Sequence, residues 1–160
     1  MTRGDFEHDV RPGVGIGALV LGMTEDEVRA MVGDPTAVDS EDFGDGIIVR
    51  TWGYDAQQLS LSFSEDDDFR LGTIASSCEW ATLGDSRIVG LAEGELRATQ
   101  FGALGPPVLD DDFEESWRNY VWDELNLSCW LSDGVVTSVT VMVLFDESGN
   151  VPQWPVRDAP

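Results

Sequence analysis

From Leu59 to Ser64 every second residue is apolar and every intervening one is a serine. An extended backbone turns successive side chains to opposite faces, so this run is a strand with one apolar face and one hydroxyl face. A helical period of 3.6 would scatter Leu59, Leu61 and Phe63 around its circumference, so the pattern excludes a helix here. A strand of this kind must lie in a sheet that buries one side. Its neighbours are close in sequence: Gly46–Tyr54, rich in β-branched and aromatic residues, and Arg70–Trp80. Short polar turns separate the three, which predicts antiparallel pairing.

The alternation returns at Leu125–Leu131, where Leu59 aligns with Leu125, Leu61 with Leu127, Phe63 with Cys129 and Ile74 with Val139. A helix precedes each set of strands. In Leu21–Pro35, Thr24 is an N-cap and Glu27 completes a capping box. Val28, Met31 and Val32 form one apolar stripe, Gly33 suits the turn out of the helix, and Pro35 prevents its resumption. Gly90–Pro107 repeats the apolar–x–Glu–x–Glu–apolar spacing and the Gly-x-Pro ending, and is expected to run about a turn longer. Ala92 stands where the capping threonine would be, and Gly94 weakens this second helix by about 1 kcal/mol. The expectation is an α+β protein of two tandem modules, each a short helical layer on a three- or four-stranded antiparallel sheet, with the strands joined into one curved sheet. The modules span 12–84 and 85–147, between a flexible N-terminus (1–11) and a proline-containing tail (148–160).

The segment Gly22-Met23-Thr24 through Pro35 resembles the helix signature of the β-lactamase inhibitory protein and of outer-membrane assembly lipoproteins of the SmpA/OmlA type. The rest of the chain is similar in layout only. Proteins of this family place short helices on an antiparallel sheet, and the inhibitory protein carries two such modules in tandem. The resemblance implies that fold and a binding scaffold. It does not imply β-lactamase as the target: that inhibitor is secreted with disulfides, the lipoproteins carry a lipidated N-terminal cysteine, and the sequence matches neither condition.

Thirty-one acidic residues face nine basic ones, all arginine, for a formal charge of −22. Such a surface repels nucleic acid and anionic membranes and attracts basic partners. The N-terminal residues lack the basic and apolar regions of a signal peptide, and Val14–Met23 is too short to span a bilayer, so the expected location is cytoplasmic. Cys78 and Cys129 lie in apolar strand patterns and are expected to be buried thiols rather than a disulfide framework. His8, the sole histidine, falls in the expected flexible terminus, and a general-base or metal site built on histidine would lack a second member. Gly13–Ala18 fits the loose pattern G-x-G-x-x-A, but without a strand before it or a long helix at its end it reads as a glycine-rich lead-in. The runs Ser64–Phe69 and Asp110–Glu115 lack the spacing of a calcium loop and read as a charged turn and a solvated loop. No cofactor, no metal and no catalytic constellation is expected.

A helical layer covers one sheet face and leaves the other to solvent. With Leu59, Leu61, Phe63, Leu125, Leu127 and Cys129 inward, alternation turns Ser60, Ser62, Ser64, Asn126, Ser128 and Trp130 outward, with Ser138, Thr140 and Met142 beside them. Trp52, Tyr54, Tyr120 and Trp122, near hairpin ends, are expected to join Trp130. Hydroxyls around an aromatic make a protein-binding surface. Asp66, Asp67, Asp68, Asp110, Asp111 and Asp112 would steer a basic partner toward it. The expected function is non-enzymatic binding and inhibition of another protein, as by an immunity protein that neutralises a basic toxin. The alternatives are an acidic nucleic-acid mimic and a small-ligand or lipid carrier.

Overall fold

The computed structural model describes residues 7–42, 46–84, 86–101, 104–110, 117–149 and 151–155. In chain order the elements are β1 (Asp9–Arg11), β2 (Gly15–Ile16), β3 (Leu19–Val20), α1 (Glu25–Val32), β4 (Ala37–Asp42), β5 (Ile48–Tyr54), β6 (Leu59–Ser64) and β7 (Arg70–Ser76). There follow β8 (Thr82–Leu83), β9 (Ser86–Arg87), α2 (Glu93–Ala98), β10 (Val108–Asp110), β11 (Trp117–Trp122), β12 (Leu127–Ser132), β13 (Val135–Met142), β14 (Leu144–Phe145) and β15 (Pro152–Gln153).

One eight-stranded sheet dominates, in the order β10-β11-β12-β13-β7-β6-β5-β4, with every neighbour antiparallel. A five-stranded sheet, β3-β2-β1-β8-β9, forms a second layer, and β14 pairs with β15. This corrects the expected α+β architecture. The protein is mostly β, and the two α-helices among the described residues are minor parts of a covering layer rather than the cover itself. Each helix is too short to roof four strands: α1 has eight residues and α2 six. The small sheet supplies the rest. Its β2 packs on β7 and β13, the central pair of the large sheet. Val10, Ile16, Leu19, Leu83 and Ile88 join the same core as Leu61, Ile74, Cys129 and Val139.

The two ends of the large sheet correspond in register. Pairing of β7 with β13 brings Ile74 opposite Val141 and Ser76 opposite Val139. Each half has one bulge, between Ser62 and Phe63 in β6 and between Trp130 and Leu131 in β12. At the first bulge Gly22 N–H donates to Leu71 O at 2.8 Å, and at the second Gly90 N–H donates to Val136 O at 2.8 Å. Glu25 meets Arg50 at 2.6 Å, and Glu93 meets Arg118 at 3.0 Å. The register corrects the sequence alignment by two residues: Leu59 corresponds to Leu127, Leu61 to Cys129 and Phe63 to Leu131, while Ile74 and Val139 do correspond. Strand β12 begins at Leu127, so Leu125 and Asn126 sit in the turn before it, with Asn126 at φ 49° and its side-chain amide donating to Val143 O at 2.8 Å.

Helix α1 is held by its capping box. Thr24 Oγ1 accepts from Glu27 N–H at 3.2 Å, and Glu27 Oε1 accepts from Thr24 N–H at 3.0 Å. Val28 and Val32 are buried beneath it. Helix α2 keeps only half of this device: Glu95 Oε1 accepts from Ala92 N–H at 3.0 Å, and alanine offers no oxygen in return. It is also shorter than α1, not longer. Gly94 lies in its first turn, and Thr99 leaves helical geometry at φ −89°, ψ 137°.

The glycine-rich lead-in holds β2 and the turn into β3, and the residues before it form β1. Gly15 is required there, because a Cβ would overlap the Leu19 carbonyl oxygen across the hairpin. His8 is not in a flexible tail. It is 7% exposed, its Nδ1 lies 2.7 Å from Ser76 Oγ, and its carbonyl accepts from Thr82 N–H at 3.0 Å.

Candidate functional site

Residues directly opposite in an antiparallel pair share a face. Trp52 is opposite Leu61, Tyr54 opposite Leu59, Tyr120 opposite Cys129 and Trp122 opposite Leu127. All four aromatics therefore lie on the covered face and are buried. This corrects their expected place beside Trp130. Their polar atoms tie the covering elements down. Tyr54 donates to Gly33 O at 2.9 Å just beyond α1, and burial pushes its phenol up to about 12. Tyr120 donates to Glu93 of α2 at 2.5 Å, a bond that, with Arg118, holds the Glu93 carboxyl below its ordinary range. Trp122 donates to Gly105 O at 3.0 Å. Trp52 packs on Phe63 and under the Arg29 guanidinium, 4.9 Å from its ring centre. Cys78 and Cys129 are buried thiols, and burial pushes Cys129 up to about 12, out of reach of nucleophilic chemistry.

The opposite face carries no covering element among the described residues. One register line crosses all eight strands: Ala37, Gly53, Ser60, Ala75, Thr140, Ser128, Val121 and Val108. On one side of it lie Thr51, Ser62, Thr73 and Met142, and on the other Asp110, Asn119, Trp130 and Ser138. On β5–β7 this face carries small side chains, with the hydroxyls of Thr51, Ser60, Ser62 and Thr73 among them, and β4 adds Asp39 and Glu41. The β10–β12 half carries Trp117, Trp130, Val108 and Val121 beside the polar Asp110, Asn119, Ser128 and Ser132. Trp130 is partly buried there, and Trp117 and Val108 are 52% and 67% exposed.

Ser60 is exposed and Ser62 partly buried, but Ser128 is only 8% exposed, a correction to its expected role as a contact. It sits between Val121 and Thr140, whose branched side chains flank it. Trp117, Val121 and Val108 are surface residues the sequence reading missed. The alternation of Trp117 with Asn119 and Val121 was a usable signal; what it lacked was the register to β12.

The acidic residues divide. Asp110 ends the edge strand β10 on the register line of Asn119 and Trp130, so it shares their face. Asp111 and Asp112 lie outside the described residues. Asp66, Asp67 and Asp68 form the turn after β6, far from Trp130. Because β7 and β13 are antiparallel, this turn and the turn before β13 open at opposite ends of the sheet. The three aspartates line a cleft of about 460 Å³ with Arg70, Phe145 and Trp154. Desolvation, then the charges of Asp66 and Asp68, raise the Asp67 carboxyl above its ordinary value. Among the described residues, no three His, Cys, Asp or Glu side chains are placed to share a metal ion. No described helix is long and apolar enough to cross a membrane.

Fold and surface together define a class: an antiparallel, sheet-rich protein whose large sheet has one face roofed and the other without a covering element among the described residues. No known protein family, characterised protein or solved structure matches the chain.

Proposed function

We propose that this chain is a non-enzymatic protein-binding module that docks a basic protein on its open sheet face and acts as an immunity-type inhibitor of that partner. The single observation that carries the reading is the patch of Trp117, Trp130, Val108 and Val121 on a face with no covering element among the described residues. An exposed tryptophan, Trp117, and a partly buried one, Trp130, opposite the hydroxyls of Ser132 and Ser138, have the chemistry of interface anchors. The formal charge of −22 selects a partner of opposite sign and speeds the encounter. The likeness of Gly22–Pro35 to the helix signature of inhibitory proteins agrees with this reading.

The test is capture of a basic partner from native lysate, followed by affinity measurements on Trp130→Ala and Trp117→Ala. Each substitution is expected to weaken binding by at least about tenfold, since truncation of an aromatic anchor costs about 2 kcal/mol. Melting temperatures should stay close to that of the parent. The association rate should fall with added salt, and the partner's own activity should be suppressed in the complex. Wild-type affinity in both variants would remove the open face as the interface. A partner that stays fully active in the complex would remove the inhibitory role.

A further inference from the structure

Among the described residues the large sheet ends on β4, whose one strand neighbour there is β5. All six of its residues, Ala37 to Asp42, are exposed. Among the described residues, strand pairing of Ala37–Glu41 is with β5 alone and uses one side of that backbone. Alternate residues of β4 direct their N–H and C=O groups away from the sheet, where they form a template for another strand. At six residues this edge is long enough to hold one.

The side chains decide what can use the template. Asp39 is opposite Thr51 and Glu41 opposite Val49, so both project on the open face, about 7 Å apart. Val38 is opposite the buried Trp52, projects on the other face and is 54% exposed. A second copy of this chain, paired through the same strand, would bring Asp39 and Glu41 against like charges, which is destabilising in a cross-strand pair. An extended segment with arginine or lysine at alternate positions would meet opposite charges on one face. Small apolar residues between them would cover Val38.

We propose that the outer edge of β4 is a docking surface for an extended basic segment of another protein, which adds to the sheet as one more antiparallel or parallel strand. This does not rest on the open-face reading. Trp130 lies five strand spacings away, about 24 Å, so the two surfaces fail or succeed separately.

The probe is a six-residue peptide that alternates arginine and valine, titrated into the full chain and followed by amide NMR shifts. Two further versions carry N-methyl groups on one or the other alternate set of backbone amides. The expected result is shifts concentrated on Ala37–Asp42 and on β5. One methylated version should bind at least tenfold more weakly while the other binds normally, because an added strand uses only one set of its amides. The Asp39→Asn, Glu41→Gln double variant should weaken binding at least tenfold, and Trp130→Ala should leave it unchanged. Equal binding by both methylated peptides would mean charge attraction without strand addition and would overturn the proposal. So would shifts centred on Trp117 and Trp130, absence of binding, or self-association of the chain through β4.

Discussion

The His8 imidazole is held inside the protein, with Ser76 Oγ at 2.7 Å from Nδ1 and the Cys78 amide donating to that same oxygen at 3.2 Å. Desolvation lowers its pKa below the ordinary 6.5, against an opposing pull from the Asp9 charge. The unfolded chain therefore binds this proton more readily than the folded one, and stability rises with pH through that window. The His8 contribution is complete above about 6.5 and is lost as pH falls from there through the lowered native value. Chemical denaturation of the parent and His8→Asn at pH 7.5 and 5.5 isolates it from the carboxylates, which both proteins share. The parent should lose more stability over this interval than the variant; equal losses would show that His8 titrates as freely as in the unfolded chain. The burial of His8 was not legible from its place near the start of the sequence, because the groups that enclose it arrive from Ser76–Thr82. Trp130 was easier to place. Its position relative to Cys129 and Leu131 is a property of its own strand.

At the scale of elements, α1 was legible to within a residue because its signals are local: a capping threonine, an acidic first turn, one apolar stripe and a glycine stop. Those contacts stand at 3.2 and 3.0 Å in the capping box. Thr24→Ala removes the acceptor for Glu27 N–H and should destabilise the protein by about 1 kcal/mol, read as a lower denaturation midpoint with an unchanged slope. An unchanged midpoint would mean that the box adds nothing to the packing of Val28 and Val32. Strands β5, β6, β7, β12 and β13 were equally visible, being long enough to show a period. The five strands of the small sheet have two or three residues each, too few for any period to register. They exist because Val10, Ile16, Leu19 and Leu83 are drawn into the core, with backbone pairing completed by distant partners. Their omission is what made two helices look like the whole roof.

Across the whole molecule, thirty-one acidic residues against nine arginines set up a repulsion that the local pairs of Arg50 with Glu25 and Arg118 with Glu93 offset only in part. Raising sodium chloride from about 0.01 M to about 1 M shortens the screening length from about 30 Å to about 3 Å. The melting temperature should therefore rise with salt while the association rate with a basic partner falls. A melting temperature that drops with salt would mean the attractive pairs outweigh the repulsion. The sequence by itself determined which side chains share a face within each long strand, where α1 starts and stops, and the sign of the surface. Each of these follows from neighbours a few residues apart or from a simple count. Only the tertiary structure decided that Trp52, Tyr54, Tyr120 and Trp122 lie beneath the roof, that the repeat is displaced by two residues from its apparent alignment, and that β4 is the last strand of the sheet among the described residues. Those outcomes depend on hydrogen-bond register between strands and on which remote segments fill the core, and neither leaves a periodic trace along the chain.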